Sequence, residues 1–359
     1  MELKAKINRQ LYNIASLIVV LLLLKWAFES AAFSRLYFHR WYPWVSAIFR
    51  SALGIVKLSV GDVIYSVWVV TAFIFLLKVC YKAITLQWQQ VCYALLKGVR
   101  ALLGLYLAFL LLWGYNYQHD AVEENLGIKS GEYSDTALQT LADTLLREVN
   151  ELRPALGDTF ALRFTMPNDS LFAAARAAYS RVADSVPVLR YRHPSVKGSL
   201  FAHWMNYMNV GGYLNPFTGE AQVNTTVPGF LLPFNVCHEM AHQLGYAREE
   251  EANFIGFLAA SHSADLRFRY GAHYEMLLYT IGQLGHRNDT LAKTLWQQAY
   301  AGVRNDYRAV IKFYKPYHGA ADAYATLLYD RYLKANNQEA GIESYNEVVA
   351  WLLAYYKIR

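Results

Sequence analysis

Residues 237–256 read CHEMAHQLGYAREEEANFIG. His238 and His242 stand four apart and therefore share one face of a helix, with Glu239 beside the first. Imidazoles so placed can hold one Zn²⁺, and a glutamate in that position can serve as general base to a water on the metal. Taken alone, the pattern also fits a surface helix with two ordinary histidines, so its surroundings decide. The apolar run FLLPFNVC before it predicts a helix packed into a domain, where bare histidines would be costly without partners. Gly245, three residues after His242, is a residue type that lets a helix stop and reverse. Three acids follow at once, and EANFIGFLAA starts a second apolar helix that would fix one of them against the first.

The third ligand is expected among Glu249, Glu250 and Glu251. In several gluzincin families it is the glutamate of a Glu-x-x-Ala-Asp/Asn motif, and EEEAN fits that motif with Glu249 as ligand. Glu250 is the alternative ligand, and Glu251 is read as structural or solvated. Asn253, one turn beyond Glu249, is placed to orient a histidine or the glutamate from the second shell of the metal. The spacing also resembles the metzincin pattern, but Arg248 stands where its last histidine would be, which disfavours a metzincin proper. Acids at a helix start also suit the helix dipole, so the triplet by itself proves nothing. Two histidines and a glutamate leave a coordination position for water. Glu239 would then take a proton from the activated water and pass it to a leaving amine, which is peptide-bond hydrolysis.

Just upstream, GGYLNPFTGEAQVN has the turn signals of a small β-hairpin or edge strand. Zincins place a substrate-holding strand before the motif helix, and Tyr213 and Glu220 are the substrate-binding candidates on it. A donor to the transition state is expected from Tyr317, His318, Arg331 or Tyr345, among which the sequence does not choose. His262 reads as a capping or surface histidine.

The elements that must position this chemistry begin with three apolar spans, at about residues 12–33, 60–77 and 101–117, each suited to crossing a bilayer. Trp113, Tyr115 and Tyr117 sit like an interfacial aromatic belt. Seven basic residues (Lys4, Lys6, Arg9, Lys78, Lys82, Lys97 and Arg100) lie in the tail and second loop, against four (Arg35, Arg40, Arg50 and Lys57) in the first loop. That bias predicts residues 1–117 as a membrane anchor and residues 118–359 as a domain outside the cytoplasmic membrane. Within the domain, SDTALQTLADTLLREVNEL is a helix with Ser134 as N-cap, DSLFAAARAAYSRVADSV is another, and the chain after Pro228 is helical almost to its end. Pro233 and the REEE run bound too short an apolar segment for the motif helix to lie in the bilayer, which disfavours an intramembrane protease. The chain is 55% hydrophobic with a net charge of +6 that flanks apolar runs, so nucleic acid is not an expected partner. The spacing of the three cysteines, Cys80, Cys92 and Cys237, matches neither a disulfide framework nor a Cys-rich zinc site.

Four segments, GGYLNPFTGEAQVN, CHEMAHQLGYAREEEANFIGFLA, WGYNY and YLKANNQEAGIESYNEVVAWLL, resemble the bacterial family catalogued as domain of unknown function 3810. The resemblance covers nearly the whole chain, and the family is regarded as zinc-metallopeptidase-like without an established substrate. It implies His238 and His242 as ligands and Glu239 as base, and leaves the choice of Glu249 open. The expectation is therefore three transmembrane helices followed by a mainly α (α+β) zincin-like domain with a small β-hairpin or sheet, in the inner membrane of a bacterium with the domain periplasmic. Its function would be zinc-dependent hydrolysis of a peptide or protein substrate. The alternatives are a non-catalytic receptor or scaffold with structural zinc, and a zinc amidase acting on the cell wall.

Overall fold

A computed structural model describes residues 2–118, 121–129, 131–157, 166–317 and 345–358. Three long apolar helices, α1 (Glu2–Phe28), α4 (Val60–Ile84) and α5 (Trp88–Leu112), are long enough to cross a membrane, and their side chains are almost wholly unburied. Between α1 and α4 the chain forms α2 (Ala31–Leu36), a π-helical turn (Tyr37–Trp41) and α3 (Tyr42–Leu53). α1 and α5 run side by side in the same direction: Lys6 lies within electrostatic reach of Tyr93 at one end, and Phe28 stacks on Tyr115 with ring centroids 3.3 Å apart at the other. α4 and α5 join through the short connection 85–87, so the basic residues read as a second loop lie on helices, as do the exposed Cys80 and Cys92.

The remainder is mainly helical. α6 (Ala121–Leu126), α7 (Asp135–Ala155) and α8 (Asn168–Val182) lead to β1 (Val196–Gly198), α9 (Ala202–Tyr207), β2 (Gly212–Leu214) and β3 (Ala221–Val223). α10 (Leu232–Gln243), α11 (Glu249–Ser261), α12 (Leu266–Arg287), α13 (Asp289–Gln297), α14 (Ala301–Tyr314) and α15 (Tyr345–Tyr355) complete the described residues. Ser134 caps α7, accepting from the Ala137 amide at 3.1 Å, and Leu138, Leu141, Leu145 and Val149 recur at helical spacing on its buried face. The sheet order is β1-β3-β2: β2 and β3 form an antiparallel hairpin, Tyr213 opposite Gln222, and β1 adds parallel to β3. The hairpin agrees with the turn signals; β1 has no signal in a three-residue strand.

Two sequence expectations are corrected. Trp113, Tyr115 and Tyr117 do not face an interface: they are buried with Phe28, Tyr37, Tyr42 and Ala247 in a second core, because α5 ends at Leu112 and the following 3₁₀ turn, Gly114–Gln118, folds back into the protein. The third apolar helix consequently begins and ends earlier than residues 101–117. Nor is the first connection a plain loop. Tyr42 Oη donates to the carbonyls of His242 and Gln243 at 3.2 Å each, and Ser46 Oγ donates to Gln243 at 3.3 Å, so α3 is bound to the C-terminal end of the motif helix.

Candidate metal centre

The motif helix α10 starts after a 3₁₀ turn (Gly229–Leu231) with proline in its first turn, where a missing N–H costs nothing. Val236, Cys237, Met240 and Ala241 turn into the core with no exposure, while His238 and His242 share another face. The helix ends on Gly245, whose φ of +103° is left-handed and favours glycine. Gly245 N–H donates to the His242 carbonyl at 2.8 Å and Tyr246 N–H to Ala241 at 3.4 Å, the paired bonds of a Schellman motif. That turn brings the Tyr246 carbonyl 2.7 Å from His242 Nδ1. Nδ1 donates there, so Nε2 is left with its lone pair free.

The same turn starts α11 with Glu249 in its first residue. Glu249 Oε2 lies 3.3 Å from His238 Nε2, and Glu249 Oε1 lies 3.8 Å from His242 Nε2. His238, His242 and Glu249 thus present donor atoms all within 4.8 Å of one another. Tetrahedral ligands at about 2.1 Å from one ion stand roughly 3.4 Å apart, so this donor set fits a small divalent cation. Glu250 and Glu251, next along α11, are buried and stand outside the cluster. Asn253, one turn on, lies close enough to the His238 ring to favour its protonated form. The close approach of the two helices is made by Gly256 of α11: a Cβ there would meet Cα and N of His238 at 3.0 Å.

Glu239 is buried, and its Oε2 has no hydrogen-bond partner. Its carboxylate rests on Gly212 of β2, where a Cβ would come within 2.3 Å of Oε1. Burial pushes the Glu239 carboxyl up to about 8, with His238 pulling it back and Glu249 adding to the rise. Burial likewise holds His242 down at about 4, which keeps its ring neutral and able to ligate. His238 moves the other way: burial disfavours its charge, but the Glu249 hydrogen bond and the charges of Glu239 and Glu249 outweigh that and raise it. The cluster is not sealed, since the side chains of His238 and Glu249 are 13% and 26% exposed.

Tyr213 and Glu220 do not line this centre. Glu220 is fully buried, accepting from the Gly61 amide at 2.6 Å, the Val60 amide at 3.3 Å, Thr218 and Gln222. It satisfies the first N–H groups of α4 and complements the helix dipole. Tyr213 donates to Asp62 in the first turn of α4, and Asp62 also accepts from the Leu200 amide at 2.7 Å and from Ser199. Both side chains hold the first turn of a membrane-length helix rather than the cluster. The sequence showed a polar hairpin but not that helix N–H groups would need its carboxylate.

Tyr317 packs edge-on against Tyr207 of α9, with ring centroids 5.0 Å apart. His318 and Arg331 lie outside the described residues, and Tyr345 begins α15. His262 caps the end of α11, its Nδ1 2.7 Å from the Leu258 carbonyl. One acid near the centre escaped sequence reasoning: Glu275 of α12, which burial raises to about 7 while His238 draws it down. An acid inside the aromatic and apolar run HYEMLLY, residues 273–279, was the available signal.

Fold and site together define a mainly helical protein with three membrane-length helices and a His-His-Glu cluster beside a buried glutamate. The family model described as "Protein of unknown function (DUF3810)" matches residues 37–353, and the chain belongs to that family. No curated protein and no solved structure matches the chain.

Proposed function

We propose that this protein is a membrane-anchored, zincin-like metallohydrolase that cleaves peptide bonds, with His238, His242 and Glu249 holding Zn²⁺ and Glu239 as general base. The observation that carries this reading is the convergence of two imidazole nitrogens and one carboxylate beside a buried, unpartnered glutamate oxygen. A site that only stabilises structure has no use for such an acid, whose burial is costly. When bound, the ion acidifies a coordinated water and polarises a carbonyl. Ionised by the charge of a bound cation, Glu239 would take a proton from the water at its unpartnered oxygen as the water oxygen bonds to the peptide carbon, and would return it to the amine as the C–N bond breaks. Tyr246 holds His242 in the ligating tautomer through its carbonyl. β2 is one of the two edge strands of the described sheet and lies against Glu239 at Gly212, which supports pairing of its main chain with an extended peptide.

The domain is read as extracytoplasmic. In support, Lys4, Lys6 and Arg9 begin α1, and Lys78 and Lys82 end α4, at the membrane edge away from the domain. The test is incubation of the metal-loaded full chain with a mixed peptide library read by mass spectrometry, beside Glu239→Gln. Cleavage by the wild type that Glu239→Gln lacks while keeping its metal is expected. Equal product patterns from the two would overturn the hydrolase reading.

A further inference from the structure

α3 has two faces of different character. Tyr42, Val45, Ser46 and Arg50 turn inward, and the first and third of these bind the end of the motif helix. At 100° per residue, Trp44, Ile48 and Ala52 of α3 fall in one opposite sector, and they and the flanking Trp41 and Ile55 are all exposed. Trp44 is 61% exposed and Ile55 84%. No charged side chain lies in that sector; its one polar residue is Ser51. A helix face turned to water carries charges, so a contiguous apolar face marks a non-aqueous neighbour.

The position of α3 identifies that neighbour. Trp41 Nε1 donates to the Leu111 carbonyl at 2.8 Å, which sets the start of α3 at the last turn of the apolar helix α5. From its other end the chain passes through the exposed Val56 and Leu58, with Lys57 between them paired to Asp169 at 3.3 Å, into α4, another of the three apolar helices. The apolar face is thus continuous at both ends with surfaces suited to lipid. At 12 residues α3 is about 18 Å long, too short to span a bilayer. Two tryptophans on its apolar side suit the headgroup boundary, and the exposed Arg40 at its edge suits anionic headgroups.

We propose that α3 lies in the plane of the membrane, with Trp44 and Ile48 dipping into the lipid. The metal helix is then bound, through Tyr42 and Ser46, directly to an element lying in the bilayer surface, and the candidate centre works at that surface rather than out in solution. This rests on the membrane placement of α1, α4 and α5 and not on the hydrolase reading.

The test uses the full chain in lipid nanodiscs with Cys80→Ser and Cys92→Ser, the third cysteine, Cys237, being buried. Single spin labels are placed at Trp44→Cys and, separately, Ile48→Cys, and their collision with oxygen and with a water-soluble nickel chelate is measured. Val70→Cys on α4 serves as the lipid reference and Asp143→Cys on α7 as the water reference, both exposed positions. An oxygen-to-nickel ratio at 44 and 48 shifted from the Asp143 value toward the Val70 value is expected. A ratio equal to that at 143 would place the face in water and overturn the proposal. Exclusion of both reagents would also overturn it, by showing that protein, such as a second copy of the chain, covers the face. Two label positions keep the result readable if one variant fails to fold.

Discussion

Gly256 sets how closely the two halves of the centre approach, and Gly256→Ala measures what that closeness does. The new Cβ would sit 3.0 Å from backbone atoms of His238, where ordinary contacts begin at 3.4 Å, so α10 and α11 must separate by about 0.4 Å (3.4 minus 3.0). Backbone cannot swing aside as a side-chain tip can, and α10 carries the histidines while α11 carries the glutamate. Metal–ligand distances tolerate only about 0.2 Å, so the shift exceeds what the site absorbs, and affinity should fall about 10- to 100-fold. Overpacking costs about 1–3 kcal/mol, offset by about 1 kcal/mol from replacing a helical glycine. A net loss near 1 kcal/mol lowers Tm by roughly 2–4 °C for a domain of this size. Competition against a chromophoric chelator gives the affinity, and thermal unfolding in detergent gives the stability. Gly282→Ala is the control, since nothing lies within 4 Å of its Cβ; it should leave the affinity unchanged and Tm equal or higher. A folded Gly256→Ala protein with wild-type affinity would refute the claim that the spacing of these helices sets the donor geometry.

Gly212→Ala pushes a methyl into the Glu239 carboxylate, within 2.3 Å of Oε1. Its metal content should hold while hydrolysis falls about 100-fold or more, the scale of a lost general base, as rates on any peptide cleaved by the wild type would report. Glu220→Gln weakens acceptance from the α4 amides and should lower stability by about 1–2 kcal/mol with unchanged metal content and unchanged KM, by thermal unfolding and kinetics; a raised KM would restore a substrate role. Asp306→Ala strands Arg153, whose Nε is 2.6 Å from Asp306 Oδ2 with both side chains buried, and removes the acceptor of Tyr270. Thermal unfolding should show a loss of about 3–5 kcal/mol.

Local rules made much of this chain legible. Periodicity gave α7 and its cap, composition gave the apolar helices, and Gly-Gly, Asn-Pro and Thr-Gly gave the β2–β3 hairpin. Spacing and the apolar run before it brought out His238, Glu239 and His242, and the Glu-x-x-Ala-Asn pattern favoured Glu249, the acid that the fold brings beside the two histidines. What stayed hidden depends on contacts distant in sequence. Nothing near Glu220 says that it will meet amides some 160 residues earlier. Trp113, Tyr115 and Tyr117 have the composition of an interfacial belt, and only Phe28, Tyr37 and Tyr42 from another segment make them core. The two faces of α3 were obscured because Arg50, counted as a loop cation, is buried.

The central claim is a metal centre built by His238, His242 and Glu249, and the measurement closest to it is metal content. The full chain, purified in detergent after exposure to zinc and gel filtration, is analysed by plasma mass spectrometry beside His238→Ala and Glu249→Ala. About one zinc per folded chain is predicted for the wild type, lost in both variants. A folded wild type that holds no metal, or a Glu249→Ala protein that keeps its full complement, would contradict the assignment.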